Sequence, residues 1–144
     1  MRENMINNTV ELKKVSEENR MRFTPMLFGP RLYLQGEATV FGMASRFCDE
    51  YKGGFWEFIE LPDGGGFMYP EMGEETVSIS ILSNGFRSSA VSPVAVGIIC
   101  TLFTLSHLSM ASPYSTELLS DRYHQLRAFA DTHPESEIIF SAID

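Results

Sequence analysis

The chain has 144 residues, with 11 Lys and Arg against 19 Asp and Glu, a formal net charge of −8 at pH 7. Hydrophobic residues make up 44% and charged residues 21%, which excludes wholesale disorder, and the length suits a single core. The acidic balance excludes a nucleic-acid binder of the basic-stripe type, because such a surface repels phosphate backbones.

In chain order, residues 1–9 are polar and read as frayed, and residues 11–22 read as a short charged helix. Together, 1–22 form a flexible or short helical N-terminal segment ahead of one domain, 23–144. The N-terminus has no apolar run of the kind a secretory signal needs, which places the protein in the cytoplasm. Residues 24–30 contain two prolines and a glycine and read as irregular. Over 31–47, Leu34, Ala38, Phe41 and Ala44/Ser45 recur at helical spacing. A strand over 55–61, the turn 62–66 and a second strand over 67–70 make a hairpin. Residues 76–82 alternate, with Val77, Ile79 and Ile81 on one face, and Asn84-Gly85 turns the chain into a short return strand at Phe86 and Arg87.

Ser92-Pro93 opens a helix over 93–109 that is apolar nearly all round and so belongs at the centre. The apolar stretch 91–108 is too short and too polar to read as a membrane span, which needs about 20 apolar residues. A helix over 113–132 buries Leu119, Tyr123, Leu126 and Ala130, with Asp121, Arg122, Gln125 and Arg127 outward. Residues 137–143 read as a final strand. This order predicts one α+β domain, with hairpin 55–69, strand 76–82 and strand 137–143 in one largely antiparallel sheet packed with helices. Cys48 and Cys100, far apart and in apolar settings, read as reduced, buried thiols.

Charge is distributed unevenly. Asp49, Glu50, Glu57, Glu60, Asp63, Glu71, Glu74 and Glu75 crowd residues 49–75, where Lys52 is the only base. Glycines and aromatics break up this array, whereas a mimic of duplex DNA needs regular charge at one per roughly 1.7 Å. Gly64-Gly65-Gly66 lacks the Lys and Ser/Thr of a phosphate-binding loop and precedes a strand, so it reads as a tight turn. His107, His124 and His133 lie on separate elements with no nucleophile, base and orienting group in view, and no metal-ligand spacing is present. Glu57 and Glu60 point to opposite faces of their strand, and Trp56 and Phe58 share one face as packing aromatics.

Four segments taken together resemble the ArdB/KlcA antirestriction family of plasmids and other mobile elements. They are Phe28-Gly29-Pro30; Tyr51 to Phe58 with the glycine run and Phe67-Met68-Tyr69-Pro70; Ser83-Asn84-Gly85-Phe86 leading to Ser92, Ala95 and Gly97-Ile98; and His133-Pro134-Glu135 with the closing Ala142-Ile143-Asp144. Their order and spacing from residue 23 to the end match the family. Ile59 stands where the family has an aromatic, and Tyr69-Pro70 where it usually has Ala-Pro. The resemblance implies a small cytoplasmic protein that relieves type I restriction, with a restriction complex or an associated host factor as partner. It carries over no established catalytic residue and no cofactor. The alternatives are an acidic DNA mimic and a small Glu/His hydrolase.

For a protein acting by contact, two exposed places stand on rigid elements. One is the turn Asn84-Gly85-Phe86. The other is Asp144, the last residue, which follows an apolar run. The acidic residues Asp49, Glu50, Glu57, Glu60, Glu71, Glu74 and Glu75 are the next candidate surface.

Overall fold

A computed structural model describes residues 12–144; the frayed segment read over 1–9 lies outside them. Among the described residues, two antiparallel sheets and five α-helices make up the fold, with one long helix at its centre. The first sheet has the order β1-β2-β3, with β1 Lys13–Lys14, β2 Trp56–Glu60 and β3 Gly66–Pro70. The second pairs β4 Val77–Ile81 with β5 Phe86–Val91. The helices are α1 Arg20–Phe28, α2 Tyr33–Phe47, α3 Pro93–Ala111, α4 Thr116–Asp131 and α5 Ser136–Ile143.

The central helix is α3, and Ile98, Ile99, Cys100, Leu102, Leu105 and Leu108 on it are fully buried. With 19 residues it is long and apolar enough, by length and composition, to cross a membrane, so the reading of 91–108 as too short and too polar does not hold for the helix that forms. Its apolar surface faces this domain's own core: β3, α2, α4 and α5 pack around it. Ser92 starts it by accepting from Ala95 N at 3.1 Å, as Ser-Pro chemistry requires.

The sheet divides because α3 takes the free edge of β3. Gly97 makes the approach possible: a Cβ there would strike the Met68 carbonyl and Tyr69. One turn later, Thr101 Oγ1 receives the Met68 N–H at 3.4 Å, a long contact that meets an edge donor strands would otherwise pair. No edge remains there for strand 76–82, which pairs only with β5. The expected single sheet is therefore two.

The expected final strand over 137–143 is α5 instead. Ile138, Ile139, Ala142 and Ile143 recur at helical spacing and turn inward, while Glu137 and Ser141 face solvent. The β-branched content suggested strand, and packing outweighed it. The segment 11–22 is not one charged helix. Lys13 and Lys14 pair with Glu60 and Ile59 of β2, and a 3-10 turn Glu17–Asn19 leads into α1. Helix α1 also overrides the irregular reading of 24–30. Pro25 removes one hydrogen bond, and burial of Phe23, Thr24, Leu27 and Phe28 offsets the loss. Phe23 stacks on Phe58 with centroids 4.6 Å apart.

Helix α2 is rotated from its expected face. Gly36, Val40, Ala44 and Phe47 are buried, while Ala38 is exposed and Leu34 is 67% exposed, because Gly36 seats against the Phe28 ring. Helix α4 starts later than expected, after Ser115 at φ 58°. Its Arg122, expected outward, is half-buried and donates to Met26 O at 3.1 Å. Cys48 and Cys100 are free and buried, and burial pushes the Cys100 thiol well above its ordinary range.

The α3–β3 contact makes a graded prediction, read as urea midpoints at constant slope. Gly97→Ala should cost about 2–3 kcal/mol or more, because backbone must move. Thr101→Val should cost about 1 kcal/mol by stranding the Met68 N–H. Thr104, also buried but with no hydroxyl partner among the described residues, should tolerate Thr104→Val or gain stability.

Candidate functional site

The turn between β4 and β5 begins with Leu82–Asn84 in a 3-10 turn. Gly85 closes it at φ 64°, where a side chain would be strained, and its N–H reaches Leu82 O at 3.1 Å. Asn84 does more than tolerate the turn. Its Nδ2 donates to Ala142 O of α5 at 2.7 Å. That carbonyl sits in the last helical turn, where no intrahelical partner exists, so the side chain meets an otherwise orphaned acceptor.

The other end of α5 is tied as well. The Glu135 carboxylate accepts from Ser92 N at 3.0 Å and from Ser92 Oγ. Asn84 precedes β5 and Ser92 follows it, so α5 runs antiparallel along β5 and is held at both ends. Eight residues make a marginal helix alone. These two ties and the burial of Ile139 and Ala142 hold it in place.

Two sequence candidates thus come together. Asp144 is exposed, caps α5 through its N–H to Phe140 O at 3.2 Å, and lies two residues beyond the carbonyl that Asn84 holds. The element anchoring it is a helix, where a strand was expected. Phe86 is half-buried, opposite Ile81 in the β4–β5 register and packed against the core, so only part of its ring faces solvent.

The acidic candidates are not gathered with them. Glu60 pairs with Lys13 at 3.3 Å and Glu57 with Lys14 at 3.8 Å, because β1 carries the N-terminal bases onto β2. Glu50 accepts from Ser78 N at 3.0 Å. Asp49, Glu71, Glu74 and Glu75 are exposed on the connections 49–55 and 71–76.

Ser92, Glu135 and His133 lie close, yet they do not form a nucleophile–base relay. His133 Nδ1 accepts from the Glu135 backbone N–H at 3.0 Å, and Ser92 Oγ is occupied as a helix cap between Ala95 N and the carboxylate. His107 and His124 are exposed on α3 and α4. Among the described residues, no three His, Cys, Asp or Glu side chains gather as a metal site. Sequence reasoning identified Ser92 as a cap and missed its link to Glu135, 43 residues away. No local spacing announces such a contact.

A family model described as "Antirestriction protein" matches residues 49–144, and the chain belongs to that family. It is 42% identical over 132 residues to an antirestriction protein KlcA of Escherichia coli, covering 90% of this chain and 92% of that protein. A second Escherichia coli KlcA is 44% identical over 135 residues, 91% of each chain. A solved structure superimposes with a TM-score of 0.82 at 41% identity, covering 93% of this chain and 94% of that one. It comes from work in which KlcA and ArdB show a novel fold and antirestriction activity against type I DNA restriction systems in vivo but not in vitro.

Two outcomes test this geometry. Asn84→Ala should cost about 1 kcal/mol by stranding the Ala142 carbonyl, measured by urea unfolding. Burial lowers the His133 pKa below its ordinary 6.5, with Glu135 opposing. The folded imidazole, which accepts at Nδ1, therefore keeps its neutral form to lower pH than the unfolded chain, whose imidazole protonates as pH falls through 6.5. Stability should therefore fall from pH 7 toward 5, and His133→Gln should flatten that slope.

Proposed function

We propose that this chain relieves type I restriction in the cytoplasm, protecting incoming plasmid or mobile-element DNA, and does so by surface contact without catalysis. The observation that carries this reading is likeness to KlcA over nine-tenths of both chains. The partner is a type I restriction complex or an associated host factor. That KlcA and ArdB act in vivo but not in vitro supports a target needing its cellular setting. The same contrast argues against DNA mimicry, since a mimic would displace duplex from purified enzyme. Neutralisation of Glu57 and Glu60 by Lys14 and Lys13 argues the same way.

The contact surface we favour is the α5 end: Asp144 with the turn Asn84, Gly85 and Phe86. The test is plating of unmodified phage on hosts carrying a type I or a type II system, with and without the gene. Plating should rise on the type I host only. Asp144→Ala should lose that relief with stability unchanged, because the side chain is exposed and the cap uses the backbone N–H that alanine keeps. Equal plating with and without the gene would defeat the reading, and full relief by both Asp144→Ala and Phe86→Ala would remove this surface.

A further inference from the structure

Beside the turn that Asn84 pins lies a cleft of about 290 Å³. Met43 and Phe47 of α2, Leu82 of the turn and Phe103 of α3 give it apolar walls, and Ser80 of β4 lines one side. Phe47 and Phe103 form its floor, their rings tilted at 59° with centroids 5.2 Å apart. Leu82 stands at the mouth, 82% exposed, although the turn carrying it is held by the Asn84–Ala142 bond.

Basic side chains stand at and beside the cleft in a protein of net charge −8. Arg46 lines the cleft. Arg87 is the register partner of Ser80, so the two side chains leave the same face of the β4–β5 pair. Both guanidiniums are exposed, and among the described residues neither forms an ion pair, whereas Lys13 and Lys14 are paired. Aromatic, methionine and arginine side chains around an exposed leucine are the composition that protein interfaces favour.

We propose that this cleft docks a segment of a partner protein that inserts one apolar side chain between Leu82 and the Phe47–Phe103 floor and sets carboxylates against Arg46 and Arg87. This rests on the contact-based function above and names the chemistry of its partner. Two guanidiniums are too few to hold a nucleic-acid backbone, where binding draws on many phosphate contacts, and an apolar floor offers phosphate nothing.

The test uses the full chain and a displayed library of random short peptides, counter-selected on Leu82→Asp. Enriched peptides should join a large apolar residue to Asp or Glu. Their affinity should fall about tenfold or more on Arg46→Glu or Arg87→Glu, and Arg46→Lys should restore part of it. Enriched peptides that are basic, or a library from which nothing survives the counter-selection, would overturn the proposal. So would self-association that Leu82→Asp abolishes in sedimentation velocity, which would assign the cleft to a second copy. In the plating assay, Leu82→Asp and the Arg46→Glu/Arg87→Glu pair should lose relief with an unchanged melting temperature. Full relief by both variants would overturn the cleft alone. A wild-type chain without relief would overturn the antirestriction reading and leave the peptide measurement to decide the cleft.

Discussion

The contact of helix α3 with the edge of β3 is the constraint from which the rest of the architecture follows. A helix normally packs on the face of a sheet, at a distance set by side chains. Here Gly97 removes the side chain, and the helix backbone meets the Met68 carbonyl and Tyr69 directly. An apolar helix thereby covers a strand edge that would otherwise recruit another strand. The chain's most hydrophobic segment becomes the centre of the fold, and the remaining hairpin is left to form a sheet of its own.

That second sheet needs cover, and α5 supplies it. The helix is short, and its retention depends on groups drawn from distant parts of the sequence. Ser92 both caps α3 and holds Glu135, so the start of the core helix and the start of the terminal helix share one hydrogen-bonded knot. At the other end Asn84 closes the last turn of α5. Helix α5, held at both ends, presents Asp144 next to a turn that exposes Leu82.

Much of this was legible in the sequence where the signal was local. Ser92-Pro93, Asn84-Gly85 and the alternation of Val77, Ile79 and Ile81 fixed a helix start, a turn and a strand, and the structure has all three. The family resemblance rested on segments that prove to be turns, caps and close approaches, among them Asn84-Gly85, Ser92, Gly97 and Glu135. The misreadings came where tertiary contact decided between similar local preferences. Residues 137–143 carry strand-forming side chains at helical spacing, and only the surface they meet selects the helix. Lys13 and Lys14 looked like part of a charged helix because their partners, Glu60 and Glu57, lie more than forty residues away. Within the site, the nature of Asn84 and Asp144 as candidates was readable, and their proximity was not.

The central claim is that the C-terminal helix is a clamped platform and not a frayed end. Native-state hydrogen exchange measures this directly. The account predicts that the amides of Ile139, which bonds Glu135 O, and of the residues after it in α5 exchange only through the global unfolding that also releases α3. Exchange of α5 through a low-energy local opening, with α3 still protected, would contradict it.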